Sequence, residues 1–260
     1  MPKELPVTPL NRFSQTMRAL LLAGVAAVAL SACAANRMSS ADYSGRPAAE
    51  NQQTLAELTA RYKSNPGDKG VIIHYAAALR AAGQSEQAVA ALELGVAAYP
   101  QDIEITVAYA KALTANGRLE QSLTLLDGVI RPDAPDWNAL LVKGATLDQL
   151  GRNGEARQIY AQALVAAPGE ASIEANWGLS FAMTNDLGSA EQHLRRAVQM
   201  RNVTSQIRQN LALVVGLQGR FDESRALYAA ELPPDQVESN MNYVRALLTQ
   251  QNRWDAVANG

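Results

Sequence analysis

The sequence predicts an all-helical solenoid, a stack of helical hairpins that repeats every 34 residues. Two columns of very small residues carry this prediction. The first column holds Ala76, Ala110, Gly144, Gly178 and Ala212, and the second, twelve residues later, holds Ala88, Ser122, Ala156, Ala190 and Ser224. No insertion or deletion disturbs the period from Lys69 to about Ser239. A fixed period of this length indicates one helical unit stacked against its own copies.

Composition agrees with close helix–helix packing and excludes several functions. Of the 260 residues, 48% are hydrophobic but only 5% are aromatic, and the formal net charge is −2. There is no dense run of lysine or arginine, so the electrostatic footprint of nucleic-acid binding is missing. One cysteine rules out a disulfide within the chain, and two histidines argue against a Cys/His zinc cluster.

Residues 1–32 are predicted to be an export signal. Lys3, Arg12 and Arg18 form a basic lead, and the uncharged stretch Ala19–Leu30 supplies a short apolar core. Small residues then lead to a boundary at the sole cysteine, Cys33. This order of basic, apolar and small residues is typical of a secretory signal.

The tetrapeptide Leu30-Ser31-Ala32-Cys33 resembles a bacterial lipobox. The resemblance implies cleavage before Cys33, diacylation of its thiol and acylation of its new amino terminus. Several acyl chains anchor a protein stably. Because Ala34 follows the cysteine, the resemblance to enterobacterial sorting favours the periplasmic face of the outer membrane. The alternatives are an uncleaved anchor helix, or an ordinary signal with an incidental cysteine.

Between this anchor and the repeats lies a predicted flexible tether, residues 33–49, which is polar, small and contains Gly and Pro. Residues 50–66 then read as an isolated second helix of a repeat, ahead of repeats at about 69–102, 103–136, 137–170, 171–204 and 205–238. Capping helices are expected over 237–258. The solenoid would thus occupy residues 50–260.

Each repeat is predicted to contain a helix A, a turn and a helix B. The turn column holds Gly83, Gly117, Gly151, Asn185 and Gly219, residues that tolerate positive φ at a helix end. Helix B carries an apolar column of Leu92, Leu126, Tyr160, Leu194 and Tyr228. Pro100 and Pro168 should end two B helices. We expect the first small column where helix A approaches helix B, and the second against the next unit.

The last repeats depart from the pattern. Glu174 and Arg208 stand at apolar positions, and Glu231 stands at a small one. Pro233-Pro234 should cut the last B helix short. The segment Val237–Gln250 reads as a capping helix A, and Asn252–Asp255 echoes the sequence of the preceding turn. A truncated sixth turn is therefore expected near residue 252.

These residues resemble the tetratricopeptide repeat (TPR). The third repeat matches that signature with Trp137, Leu140, Gly144, Leu147, Gly151, Ala156, Tyr160, Ala163 and Pro168. The resemblance implies a right-handed TPR solenoid of about five repeats plus flanking helices. It also implies that one side of the A helices lines a groove that holds protein partners.

Mapped onto this chain, the implied peptide groove contains Asn138, Leu141, Asn176, Leu179, Met183, Gln209, Asn210 and Leu213, together with Glu104, Val107, Lys111, Ala145 and Asp148. Asn176 and Asn210 share one column. An amide both donates and accepts, so this short ladder could hold a peptide backbone without reading its sequence. The alternative is that both asparagines face solvent or bond locally.

Other candidate residues carry weaker signals. His74 and His193 are expected to be packed or solvent-facing rather than ligands. Arg195, Arg196 and Arg201 form either a contact for an acidic partner or a solvated helix face. No phosphate-binding loop or catalytic motif is present, so the sequence predicts a non-enzyme without catalytic, metal or cofactor residues.

The segment Ile207–Leu247 carries a further resemblance. Its run RQNLALVVGLQGRF, its Leu-Pro-Pro and its Asn-x-x-Tyr-x-Arg resemble the TadD family of TPR lipoproteins from the tight-adherence (Flp/Tad) pilus machinery. The resemblance implies an outer-membrane assembly factor or pilotin whose partners are the secretin or other pilus components. The alternatives are a TPR lipoprotein of another envelope system, such as type IV pili or outer-membrane protein insertion, or an adaptor of cell-wall enzymes.

Overall fold

A computed structural model describes Tyr43 and residues 48–258. Cys33, the signal of residues 1–32 and all of the predicted tether except Tyr43 and its last two residues lie outside the described part. Within that part the chain forms twelve α-helices and no strand: α1 (Ala48–Ser64), α2 (Lys69–Ala81), α3 (Ser85–Ala98), α4 (Ile103–Ala115), α5 (Leu119–Asp127), α6 (Trp137–Gln149), α7 (Asn153–Ala166), α8 (Ala171–Met183), α9 (Leu187–Val198), α10 (Ser205–Leu217), α11 (Phe221–Ala229) and α12 (Pro234–Ala258).

The helices stack as five successive hairpins, which confirms the predicted all-helical solenoid. Each helix A packs on its own helix B, on the preceding helix B and on the next helix A. The five A helices start 34 residues apart because a capping residue recurs with the same period. The side chains of Asp68, Asp102, Asp136 and Thr204 each accept a backbone N–H bond of the following first turn.

The turn between A and B explains its glycine column. Gly83, Gly117, Gly151 and Gly219 have φ between 75° and 82°, and Asn185 has φ of 63°. These are left-handed conformations that cost a branched side chain free energy, so the predicted need for positive φ is confirmed. Helix B then ends at Ala98 and Ala166, two residues before Pro100 and Pro168.

The small columns lie where helices approach most closely. Each residue of the second column packs on the first column of its own repeat, as the Ser122 Oγ bond to the Ala110 carbonyl (3.0 Å) shows. Ser122 Oγ also lies 3.5 Å from Thr146 Oγ1 in the next helix A. The second column therefore contacts its own unit as well as the next one, which is more than the sequence predicted.

The C-terminal end differs from the sequence prediction. Helix α12 runs without interruption through residue 252, so the expected sixth turn is wrong. In the strict period the turn position falls on Arg253, which lacks the backbone freedom of Gly or Asn, and the helix continues. Helix α11, by contrast, is shortened to nine residues ahead of Pro233-Pro234, as expected.

The described residues contain no helix that is both long and apolar enough to span a lipid bilayer.

Candidate protein-binding surface

The inner face is the side of the A helices on which the predicted groove residues lie. We define it by the second, fifth, sixth and ninth positions of each repeat, counted from the first residue of helix A. These positions include Asn138, Asn176, Leu179, Gln209, Asn210 and Leu213. Adjacent A helices contact one another directly, so the inner face is continuous from α2 to α12.

The structure places the predicted groove residues at different depths. Asn138, Met183 and Gln209 are half-buried, whereas Leu179 and Leu213 are largely covered by neighbouring helices. Leu141 is a correction, because it is 1% exposed and packs in the core with Leu140 and Tyr160. Leu141 therefore offers no surface to a partner.

The two asparagines of the predicted ladder behave differently. Asn176 Nδ2 donates to the Ser172 carbonyl (2.8 Å), which is the local bonding that was the alternative to a ladder. Asn210 Oδ1 accepts from Gln206 Nε2 (3.1 Å), but Asn210 Nδ2 is buried and has no partner among the described residues. Asn138 Oδ1 is in the same condition within that part of the chain. A buried amide group without a partner costs about 1–3 kcal/mol.

Asp148, also mapped to the groove, is held inside the protein. Its carboxylate accepts bonds from Tyr160 Oη (2.9 Å), Ser180 Oγ (2.7 Å) and Asn153 Nδ2 (2.7 Å). Burial raises the pKa of Asp148, although these three donors oppose the shift. Because Ser180 belongs to the next helix A, Asp148 joins repeats three and four instead of facing a partner.

His193 is buried rather than exposed, against one sequence expectation. Its Nδ1 lies 2.7 Å from Glu174 Oε2, and its ring packs on Trp177 and Phe181 at centroid distances of 4.5 and 5.2 Å. Burial alone would raise the pKa of Glu174, but bonds from His193 and Arg196 hold it below its ordinary value. This pair explains why a carboxylate occupies an apolar position of the repeat.

The arginines of helix α9 are engaged inside the protein. Arg195 pairs with Glu191 (2.7 Å) and Glu223 (2.6 Å), and Arg196 pairs with Glu174 (3.1 Å). These contacts neutralise two members of the predicted basic group. They favour a structural role over a contact for an acidic partner.

At the N-terminal end, a residue from outside the helices contacts the inner face. Tyr43 Oη lies 2.8 Å from Nδ1 of His74, at the sixth position of the first repeat, and the rings are 6.2 Å apart. His74 is thus partnered, as expected of a packed histidine. It occupies the same repeat position as Asn176 and Asn210.

Among the described residues, no group of three or more His, Cys, Asp or Glu side chains could hold a metal ion. Tyr243 is the functional candidate that sequence reasoning missed. It stands at the fifth position of the inner face and is 44% exposed. An exposed aromatic in a column whose earlier members include Leu141 and Gln209 could have been noticed from the period alone.

Comparison with known proteins identifies the repeat. Residues 79–144 match the tetratricopeptide repeat family. A thermophilic TPR protein of Thermus thermophilus, TTC0263, has a similar structure with a TM-score of 0.57 and 20% identity, covering 76% of this chain and 99% of that one. A TPR protein of Parabacteroides merdae gives 0.61 and 12%, covering 77% of each chain. No curated protein matches the sequence.

The fold is therefore a TPR-like helical solenoid. Such solenoids are generally non-catalytic scaffolds for protein interaction, because stacked repeats create extended surfaces.

Proposed function

We propose that this protein is a non-catalytic protein-binding scaffold that is lipid-anchored to the periplasmic face of the outer membrane and serves assembly of the Flp/Tad pilus machinery. One structural observation carries the binding role. The inner face presents amide side chains, and the buried Nδ2 of Asn210 has a hydrogen left to donate among the described residues. A backbone carbonyl of an extended partner would satisfy it.

The anchor and the pathway rest on the sequence. Cys33 stands at the end of a lipobox-like signal, and the segment Ile207–Leu247 resembles the TadD family. That segment forms α10, α11 and most of α12. A lipid anchor at one end of the chain and a protein-holding surface on the solenoid together suit a factor that carries an oligomerising secretin, or another pilus component, to the outer membrane.

The proposal predicts what happens when the anchor is removed. Cys33→Ser lacks the thiol that receives the lipid, so the variant should leave the outer-membrane fraction and be found as soluble periplasmic protein or unprocessed precursor. After crosslinking in cells, the wild-type chain should yield secretin or other pilus components, identified by mass spectrometry, and the variant should yield fewer.

The control is Ser31→Ala, which keeps a small residue beside the cleavage site and should behave as wild type. Acyl labelling that persists in Cys33→Ser would refute the lipid anchor. Crosslinked partners drawn from peptidoglycan hydrolases or outer-membrane insertion factors would refute the pilus assignment and leave the scaffold role standing.

A further inference from the structure

The two halves of the inner face differ in charge. In the first three repeats its second and ninth positions include Glu104 and Lys111. From α8 to α12 none of the residues at its defining positions is charged: Ser172, Gln206, Asn240, Ala175, Gln209, Tyr243, Asn176, Asn210, Val244, Leu179, Leu213 and Leu247. The charged residues of these helices are engaged elsewhere, since Glu174 pairs with His193 and Arg208 pairs with Glu231. We call the stretch from α8 to α12 the uncharged inner face.

This stretch offers two kinds of contact side by side. Gln206, Gln209 and Asn210 supply amides that can donate and accept, and the Nδ2 group of Asn210 is buried with no acceptor among the described residues. Tyr243 supplies an aromatic ring that is 44% exposed, one helix further along. Amides suit a peptide backbone, and an exposed ring suits an apolar side chain.

The chain itself shows what can contact this column. Tyr43 lies outside any helix, and its hydroxyl bonds to His74 at the sixth position of the first repeat. Asn210 stands at that same position four repeats later. A non-helical segment can therefore approach the sixth position with a hydrogen-bonding group. At α10 the residue at this position is an amide instead of an imidazole.

We infer that the uncharged inner face binds an extended, uncharged segment of a partner protein, with Asn210 and Gln209 on its backbone and Tyr243 on one of its apolar side chains. The inference rests on the proposed scaffold function and adds the partner's chemistry. A charged segment is disfavoured because burying its charges beside amides and leucines, without a countercharge, costs far more than burying neutral residues.

A random library of 12-residue peptides on phage tests this inference against the full chain, purified in detergent and immobilised. The expected result is enrichment of peptides poor in Asp, Glu, Lys and Arg. A synthetic copy of the best peptide should bind Tyr243→Ala about tenfold more weakly than wild type, because aromatic anchors dominate binding surfaces. Tyr243→Phe should restore binding, and Tyr243→Arg should shift selection towards acidic peptides.

The matched control is Leu94→Ala, which removes a side chain that is 68% exposed on α3, a B helix away from the inner face. It should leave peptide binding unchanged. Failure to enrich any peptide, enrichment of charged peptides, or equal weakening by Leu94→Ala would each overturn the inference. Crosslinked partners could still be recovered in cells in any of these cases, so the scaffold proposal would stand or fall separately.

Discussion

At the scale of single residues, the small columns set how closely the helices approach. A methyl group built on Gly144 would lie 2.4 Å from Cε1 of Tyr160, far inside van der Waals contact. The ring cannot easily retreat, because it is buried and its hydroxyl donates to Asp148. Gly178 is equally confined, since its added methyl group would lie 2.9 Å from the Ala190 carbonyl.

We therefore expect Gly144→Leu to lower the free energy of unfolding by about 1–3 kcal/mol through overpacking. Urea denaturation followed by circular dichroism measures the change. Gly154→Ala is the matched control, because an added methyl group there meets nothing within 4 Å and Ala is the better helix former. Equal stability of Gly144→Leu and wild type would contradict the tight contact between α6 and α7.

Residue chemistry also marks where sequence reasoning succeeds and where it stops. The small columns and the glycine turns could be predicted, since steric limits act on each position by itself. The burial of His193 could not, because it depends on Glu174 facing it from another helix, nineteen residues away. The same holds for Leu141, whose position suggests the inner face although the packing of α6 turns it into the core.

At the scale of helices, ion pairs connect the B helix of repeat four to the fifth repeat. Glu191 of α9 accepts bonds from Arg195 of its own helix (2.7 Å) and from Arg220, the residue before α11 (2.5 Å). Arg195 and Arg220 also reach Glu223 of α11. Hydrogen bonding to Arg220, with help from Gln218 and Arg195, lowers the pKa of Glu191 to about 2.

A lowered carboxylate pKa makes this network sensitive to acid. The unfolded chain binds the proton more tightly than the folded one, so the stabilisation is complete above about pH 4.5, the ordinary value, and is lost as the pH falls towards 2. We expect the loss to be about 1 kcal/mol, because the arginine partners are partly exposed and screened. Urea midpoints at pH 5, 4 and 3 should fall more steeply for wild type than for Glu191→Gln.

Raised salt should weaken the same difference, since exposed ion pairs are screened over about 10 Å at 0.1 M ionic strength. The pH dependence of Arg131→Gln serves as a control, because Arg131 pairs only with its exposed neighbour Asp133 within the described chain. Parallel curves for wild type and Glu191→Gln would show that the network contributes nothing to stability.

At the scale of the whole molecule, the solenoid is a chain of nearest-neighbour contacts. Its buried residues form several clusters along the stack, one of which joins Ala212 and Tyr228 of repeat five to Val237, Met241 and Val244 of α12. Repeats that touch only their neighbours transmit little stability over distance. The regular period could therefore be extended from one repeat to the next in the sequence, whereas the uninterrupted α12 depends on the absence of a following unit.

This organisation predicts a local response when α12 is removed. A variant that ends at Leu232 exposes the cluster around Tyr228 and loses three nearly fully buried side chains, those of Val237, Met241 and Val244. At about 1.5–3 kcal/mol for each buried side chain, the local stability of α10 and α11 should fall by several kcal/mol. Amide hydrogen exchange of these two helices should then accelerate by about 100-fold or more, while α2 to α4 keep their wild-type rates. Met241→Ala should give a smaller acceleration confined to the same helices. A uniform increase along the chain would instead mean that the solenoid unfolds as one cooperative unit, and that its two ends are coupled through contacts stronger than those between neighbouring repeats.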